Sequence, residues 1–165
     1  MFFEGDNLLV IGGNSGSSLS NTEVISIQKN NLICNPTDLP YAVEGHATVA
    51  SDMGLITCGG DDGNNYFSKC VLQTKSGQTS SFPSMRSQRK YFGMVLVSNV
   101  LYAIGGLRSS TTMETINVLN ETEWKQQALG FSVFGGCATN IGKNKIVVIG
   151  GRDVNSYVSK QIRMF

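Results

Sequence analysis

Short apolar runs alternate along this chain with stretches rich in Gly, Asn and Ser, and four of the apolar runs end in a Gly-Gly pair. The four runs cover residues 8–11, 55–58, 101–104 and 146–149, and the first glycines of the pairs are Gly12, Gly59, Gly105 and Gly150. Their spacings are 47, 46 and 45 residues. Four occurrences at nearly one period predict a repeating architecture.

Each period contains further β-prone runs around the one that ends in Gly-Gly. A run at 46–50, 92–97 and 137–141 comes before the last three pairs, and a third run follows each pair at 23–27, 69–73, 113–118 and 159–165. A weaker fourth run lies at 31–34, 78–81 and 123–126, and the additional pair Gly135-Gly136 is interpreted as a turn. Because Gly, Asn and Ser between β-prone runs are typical of hairpins, one period predicts four antiparallel strands.

The third period shows the clearest resemblance to a known family. It contains Asn99-Val100-Leu101-Tyr102-Ala103-Ile104-Gly105-Gly106, followed by Trp124, and it is preceded by the segment 83–89. These residues resemble the kelch repeat and its inter-blade linker. The resemblance implies an all-β fold, a kelch-type β-propeller of which this chain holds about three and a half four-stranded antiparallel blades.

The predicted blades together make one partial propeller domain over residues 1–165. They cover residues 1–39, 40–82, 83–128 and 129–165. The first is expected to lack its first strand and the last its fourth, which gives fourteen strands. Because open blades expose apolar faces, we expect either that the chain is part of a longer propeller or that self-association closes it.

The Gly-Gly pairs themselves have a structural explanation. Glycine at a strand end permits a positive φ and the close approach of another backbone. A phosphate-binding loop would need a following helix, whereas polar residues and then a strand follow each pair here. The predicted structural glycines are Gly12, Gly13, Gly59, Gly60, Gly105, Gly106, Gly150 and Gly151.

The composition argues against two classes of partner, nucleic acids and membranes. Thirteen Lys and Arg face twelve Asp and Glu, so a net charge of +1 argues against a basic nucleic-acid-binding surface. No apolar run approaches the 18 or so residues of a membrane span, and no signal-peptide pattern is present. We therefore expect a cytoplasmic protein. The sequon at Asn120 keeps an extracellular, glycosylated protein as the alternative.

Cysteine and histidine are too sparse for a metal site. The chain has four cysteines without a C-x-x-C spacing, and His46 is its one histidine, so no metal or cofactor is expected. Cys58 and Cys70 flank the turn-rich segment 61–65. A symmetric hairpin would set these two cysteines opposite each other, either as a disulfide or as two small buried side chains. Cys34 and Cys137 are interpreted as packing residues.

Enzymatic chemistry finds little support in the sequence. The G-x-S-x-G nucleophile motif is absent, and a lone His46 is expected to be a hydrogen-bonded structural residue. The kelch resemblance raises the possibility of a copper radical oxidase. The metal site of such an enzyme needs at least two histidines, and this chain has one. The protein is therefore predicted not to be an enzyme.

A polar recognition face is the remaining candidate site. In an antiparallel blade, the loop before the first strand and the loop after the second emerge at one end. The charged residues of these loops are Arg86, Arg89, Lys90, Arg108, Arg152, Asp61, Asp62 and Asp153. Any one of them alone is interpreted as ordinary solvated charge. The resemblance implies that such a face binds peptides of partner proteins, as in kelch-like adaptors of cullin ubiquitin ligases, and Arg pairs well with carboxylates.

Overall fold

A computed structural model describes residues 2–4, 7–26, 31–33, 37–142, 145–158 and 162–164. Within these ranges, strands form four antiparallel sheets in which consecutive strands are neighbours. Sheet 1 contains β1 (Phe2–Glu4), β2 (Asn7–Asn14), β3 (Ser18–Ser26) and β4 (Asn31–Ile33), and sheet 2 contains β5 (Ala47–Ser51), β6 (Gly54–Cys58), β7 (Cys70–Thr74) and β8 (Thr79–Phe82). Sheet 3 contains β9 (Gly93–Val97), β10 (Val100–Ile104), β11 (Thr112–Asn117) and β12 (Lys125–Ala128), and sheet 4 contains β13 (Cys137–Ile141), β14 (Lys145–Ile149) and β15 (Ile162–Met164).

The predicted all-β class and the grouping of the chain into antiparallel sheets are confirmed. Each sheet falls inside one of the four predicted ranges, although their assignment as blades stays a prediction. One expectation is wrong: sheet 1 does have a first strand, because β1 pairs with β2 from Phe2 opposite Leu9 to Glu4 opposite Asn7. Cys34, interpreted as a packing residue, and part of the final predicted run, at 159–161 and 165, lie outside the described residues.

In sheets 2 and 3 the second strand is apolar because it is covered on both faces. In β10, Leu101 and Ala103 pack towards sheet 2, whereas Ile104 packs towards sheet 4. The Ser98-Asn99 turn that precedes β10 has φ values of 47° and 65°, the two positive angles of a type I′ hairpin, as the predicted turn requires. An apolar run with no alternation is therefore what this position in the sheet needs.

Each sheet packs on the next one along the chain. The first strands β1, β5, β9 and β13 contact one another in that order, and an apolar cluster fills each of the three spaces between sheets. The largest cluster joins sheets 2 and 3 and includes Trp124, whose indole Nε1 donates to the Pro83 carbonyl at 2.8 Å. The fold is thus a succession of sheets whose first strands contact one another.

The Gly-Gly pairs connect neighbouring sheets through one repeated hydrogen bond. The amide of the second glycine donates to a carbonyl of the segment that leads into the next sheet: Gly60 to Arg89 at 2.7 Å, and Gly106 to Val133 at 2.8 Å. Gly13 makes the same bond to Val43 at 2.8 Å. All eight glycines of the pairs have positive φ, including 68° and 85° at Gly150 and Gly151. At Gly12, Gly59 and Gly105, a Cβ atom would lie 2.8, 2.6 and 2.2 Å from a carbonyl oxygen of the next segment, so its approach leaves no room for a side chain.

In the part of the chain that the structure describes, no helix is long enough and apolar enough to cross a bilayer.

Candidate recognition face

The ends of the second strands lie at one end of the sheets, which we call the loop face. It is formed by the loops 15–17, 59–69, 105–111 and 150–158 and by the segments 43–46, 89–92 and 133–136 that lead into the first strands. The charged residues singled out from the sequence were expected here. The structure divides them into buried residues that serve the fold and exposed residues that remain available to a partner.

A line of three residues with left-handed backbone conformation crosses the loop face. Gly45, Tyr91 and Gly135 have φ values of 60°, 54° and 64°. The Tyr91 amide donates to the Gly45 carbonyl at 2.8 Å, and the Gly135 amide donates to the Tyr91 carbonyl at 2.7 Å. The same backbone element therefore recurs before β5, β9 and β13, with glycine at two positions and tyrosine at the third.

Tyr91 is the residue that breaks this pattern. Its side chain is 46% exposed, and a Cβ atom on Gly45 would lie 2.9 Å from a carbon of its ring. The missing side chain at Gly45 thus makes room for the Tyr91 ring. A non-glycine residue in the left-handed region costs about 1–2 kcal/mol. The left-handed conformation of Tyr91 therefore costs free energy, while about half of its side chain remains exposed to solvent.

Beneath Tyr91, Lys90 joins the segment that leads into sheet 3 to sheet 2 through two ion pairs. Its Nζ lies 2.5 Å from Glu44 Oε1, 2.5 Å from Asp61 Oδ2 and 4.8 Å from the Tyr91 ring centroid. Glu44 also accepts a hydrogen bond from Asn14 Nδ2. Burial lowers the pKa of Lys90, but its hydrogen bonds to Asp61 and Glu44 outweigh that effect and hold the pKa above its usual value. Lys90 and Asp61 are buried and neutralise each other.

Arg89 is fully buried, which differs from its predicted place on a binding surface. Its guanidinium donates to Glu114 Oε1 at 2.9 Å, to the Gly105 carbonyl at 2.7 Å and to the Thr112 carbonyl at 2.9 Å. Glu114 is equally buried. Burial lowers the pKa of Arg89, and the ion pair with Glu114 opposes this shift. Arg89, Lys90 and Asp61 therefore drop out of the candidate binding surface, because long-range partners inside the protein occupy their charges.

The exposed charges of the loop face belong to three loops. Arg108, at a φ of 75°, stacks its guanidinium 4.6 Å from the Tyr66 ring centroid. Hydrogen bonds from the amides of Asn64 and Asn65 lower the pKa of Asp62. Arg152 is exposed, and its backbone pairs with Phe134. Together with Tyr91, the exposed Arg108 and Arg152 and the half-exposed Asp62 are side chains of the loop face that remain open to solvent.

Two further residues were predicted to lie on this surface. Asp153 orders one of its loops, whereas Arg86 lies elsewhere. Asp153 accepts hydrogen bonds from the amides of Asn155 at 2.9 Å and Tyr157 at 3.0 Å, so it orders its own loop. Arg86 lies apart from the exposed loops, 3.9 Å from Glu123. The predicted sequon residue Asn120 is exposed in the turn between β11 and β12, at the other end of sheet 3.

His46 lies against the glycine pairs of sheets 1 and 2. Its ring carbon Cε1 would be 3.0 Å from a Cβ on Gly12. Burial lowers the pKa of His46 to about 4, against the weaker opposing effect of a hydrogen bond with the Ile11 backbone. The imidazole is neutral at pH 7 and packs as part of the fold. Among the described residues, no three His, Cys, Asp or Glu side chains group closely enough to hold a metal ion.

The structure contains a disulfide between Cys58 and Cys70. The two residues are direct partners in the register of β6 and β7, with Cα atoms 4.1 Å apart, and both are buried in the cluster between sheets 2 and 3. Of the two alternatives left open by the sequence, the structure has the disulfide. Cys137, expected to be a packing residue, is instead an exposed free thiol on β13.

Removing this disulfide should measurably destabilise the protein. We expect Cys58→Ala/Cys70→Ala to lower the free energy of unfolding by about 3 kcal/mol, because the bond closes a loop whose ends are 12 residues apart. Urea unfolding with and without a reductant measures the effect. Cys137→Ser is the matched control and should unfold like the parent chain. Equal stability of the parent chain in reductant and in oxidising buffer would contradict the pairing.

The sequence predicted the position of this face but overlooked Tyr91, Tyr66, Glu44 and Asn14. A signal for Tyr91 was available: Gly45, Tyr91 and Gly135 precede the first glycine of the next Gly-Gly pair by 14, 14 and 15 residues. Aligning the periods on those pairs puts a tyrosine in a column of glycines. No such signal exists for Glu44 or Asn14, whose roles depend on contacts between sheets.

Comparison with known proteins adds no assignment: no protein-family model matches the chain, and no curated protein matches it.

Proposed function

We propose that this chain is a partial kelch-type β-propeller whose loop face binds segments of a partner protein without catalysing a reaction. Three features support the architecture. The period is 45–47 residues, each sheet packs on the next through its first strand, and the second glycine of each of the first three pairs makes the same inter-sheet hydrogen bond. A propeller blade is a four-stranded antiparallel sheet of this kind.

The observation that carries the binding role is the conformation of Tyr91. The fold uses glycine at the two equivalent positions, and Tyr91 has the same left-handed backbone. Its side chain therefore adds strain. Because the side chain is half exposed, its burial offsets only part of the free energy of that strain. Tyrosine is among the residues that dominate protein interfaces. An exposed tyrosine kept at an energetic cost is best explained by contact with a partner.

The neighbouring charges indicate what kind of segment binds. Lys90 is already neutralised by Glu44 and Asp61, whereas the Arg108 guanidinium is exposed and ordered by stacking on Tyr66. A stacked guanidinium offers paired donors that match a carboxylate. We therefore propose a peptide that places an apolar or aromatic side chain on Tyr91 and a carboxylate near Arg108. By resemblance to kelch-like adaptors, such a peptide would belong to a protein presented to a cullin ubiquitin ligase.

The disulfide favours a second candidate, an extracellular kelch protein. Cys58 and Cys70 are bonded, and Asn120 is exposed at the end of sheet 3 that lies away from the loop face. Structural disulfides persist mainly in oxidising compartments. The loop face would be the binding surface in either compartment, so the two candidates differ in the partner and not in the site.

Tyr91→Gly separates binding from folding. We expect this variant to melt about 2–4 °C higher than the parent, because relief of the left-handed strain is worth about 1 kcal/mol in a chain of this size. A 12-residue peptide selected on the parent chain from a random phage library should bind Tyr91→Gly at least tenfold more weakly, as measured by isothermal titration calorimetry.

Leu119→Ser is the matched control, because Leu119 is exposed in the turn between β11 and β12, at the opposite end of sheet 3. It should bind the peptide like the parent. A lower melting temperature for Tyr91→Gly would show that the ring serves the fold. Unchanged peptide binding by Tyr91→Gly would show that binding does not use this face.

A further inference from the structure

The first and last sheets each present a partly exposed apolar face on the side away from the other described sheets. On sheet 4, Ile149 lies opposite Ile162 and Val147 lies opposite Met164, so these side chains share the face that points away from sheet 3. Val147 is buried, whereas Ile149, Ile162 and Met164 are 47%, 67% and 63% exposed. We call this surface the front face of sheet 4.

The equivalent positions of sheet 3 are buried against sheet 4. Ile104 corresponds to Ile149, since both precede the Gly-Gly pair, and Met113 corresponds to Ile162 as its partner on the third strand. Ile104 and Met113 are 1% and 5% exposed, in the cluster that contains Ile146 and Val148 of sheet 4. The front face of sheet 4 thus consists of positions that elsewhere receive the next sheet.

Sheet 1 shows the reverse situation on its back face, the face that points away from sheet 2. Leu8 lies opposite Ile25 there, just as Leu101 lies opposite Ile116 in sheet 3. Leu101 and Ile116 are fully buried against sheet 2, whereas Leu8 is half-buried and Ile25 is exposed. The back face of sheet 1 consists of positions that elsewhere pack on the preceding sheet.

We propose that the front face of sheet 4 binds the back face of sheet 1 of a second copy of this chain. The occupant follows from the repeat: a front face in this fold packs on the back face of a following sheet at all three internal interfaces. Two copies joined in this way at both ends form a two-fold ring of eight sheets, which lies within the four to eight blades usual for propellers. The net charge of +1 offers little repulsion.

Sedimentation equilibrium of the 165-residue chain tests the proposal. We expect a dimer of twice 17.8 kDa at micromolar concentration. A monomer at 100 μM would overturn the proposal, and so would an open series of larger species, because the ring would then fail to close. Ile162→Glu should be monomeric with an unchanged circular dichroism spectrum, and Met164→Glu replaces it if it fails to fold. Leu119→Glu, away from both faces, should remain dimeric.

Mixing two variants tests the head-to-tail arrangement. Ile162→Glu damages the front face and Ile25→Glu damages the back face, so each variant alone should be monomeric. An equimolar mixture should form a heterodimer through the one intact front-to-back interface, with a higher dissociation constant than the parent ring because only one interface remains. A front-to-front dimer would instead leave Ile25→Glu dimeric on its own. Failure of peptide binding at Tyr91 would leave these results unaffected.

Discussion

Glu114→Ala should lower the free energy of unfolding by about 3–5 kcal/mol, because it leaves the buried Arg89 guanidinium without its counter-charge. Both side chains of the pair are inaccessible to solvent. Glu114 also accepts hydrogen bonds from the amides of Arg86 at 2.6 Å and Ser87 at 3.0 Å, so the substitution also removes the acceptor of two partly buried donors. Urea unfolding followed by circular dichroism measures the loss.

The surface ion pair between Arg86 and Glu123 supplies the control for this variant. Their charged groups are 3.9 Å apart and largely exposed. Glu123→Ala should therefore change the stability by about 0.5 kcal/mol or less. If Glu114→Ala lowers the free energy of unfolding no more than Glu123→Ala does, the ion pair between Arg89 and Glu114 is not buried as the structure has it. A double variant, Arg89→Met/Glu114→Leu, should lose less than the sum of its two single variants.

Gly105→Ala is expected to be at least as severe as an ordinary large-to-small core substitution, with a loss of about 3 kcal/mol or more. The residue has a φ of 65°, and a Cβ atom would lie 2.2 Å from the Val133 carbonyl oxygen. To remove this steric clash, sheet 3 would have to move away from the segment that leads into sheet 4. That separation would also break the hydrogen bond from the Gly106 amide to Val133.

Gly130→Ala is matched to Gly105→Ala in backbone conformation but not in surroundings. Gly130 has a φ of 73°, and no atom lies within 4 Å of the position that a Cβ atom would occupy there. It should lose only the cost of a left-handed alanine, about 1–2 kcal/mol. The difference between the two variants therefore measures the close approach of the sheets. Equal losses in chemical denaturation would show that the approach is looser than the structure has it.

The strand pattern was largely predictable because it depends on local residues. The apolar run before each Gly-Gly pair and the turn Ser98-Asn99 define β10 and its hairpin without reference to other sheets. The turn-rich segment 61–65 likewise places Cys58 opposite Cys70. The strand β1 was missed because it comprises only three residues, Phe2–Glu4, and its identity depends on pairing with β2.

The candidate site was less predictable because burial there is decided at long range. Arg89 and Glu114 are 25 positions apart, and Lys90 and Glu44 are 46 positions apart. Charged residues in loops were expected to be exposed. Nothing in the sequence near Arg89 indicates that its side chain reaches Glu114 on β11 of sheet 3. Aligning the periods sets Tyr91 apart from Gly45 and Gly135, but the left-handed backbone that makes this difference a strain is known only from the structure.

The single hydrogen bond that each of the first three Gly-Gly pairs makes to the following segment has a consequence for how the protein unfolds. Within the described residues, the sheets are joined only to their neighbours, so stability is distributed as in a linear array with nearest-neighbour coupling. Ile56 and Leu101 lie in the two sheets with a neighbour on each side, so we expect their amide protons to exchange with solvent last. In a single copy that is not closed into a ring, we expect fraying to begin at sheets 1 and 4 and to advance inward by one sheet at a time.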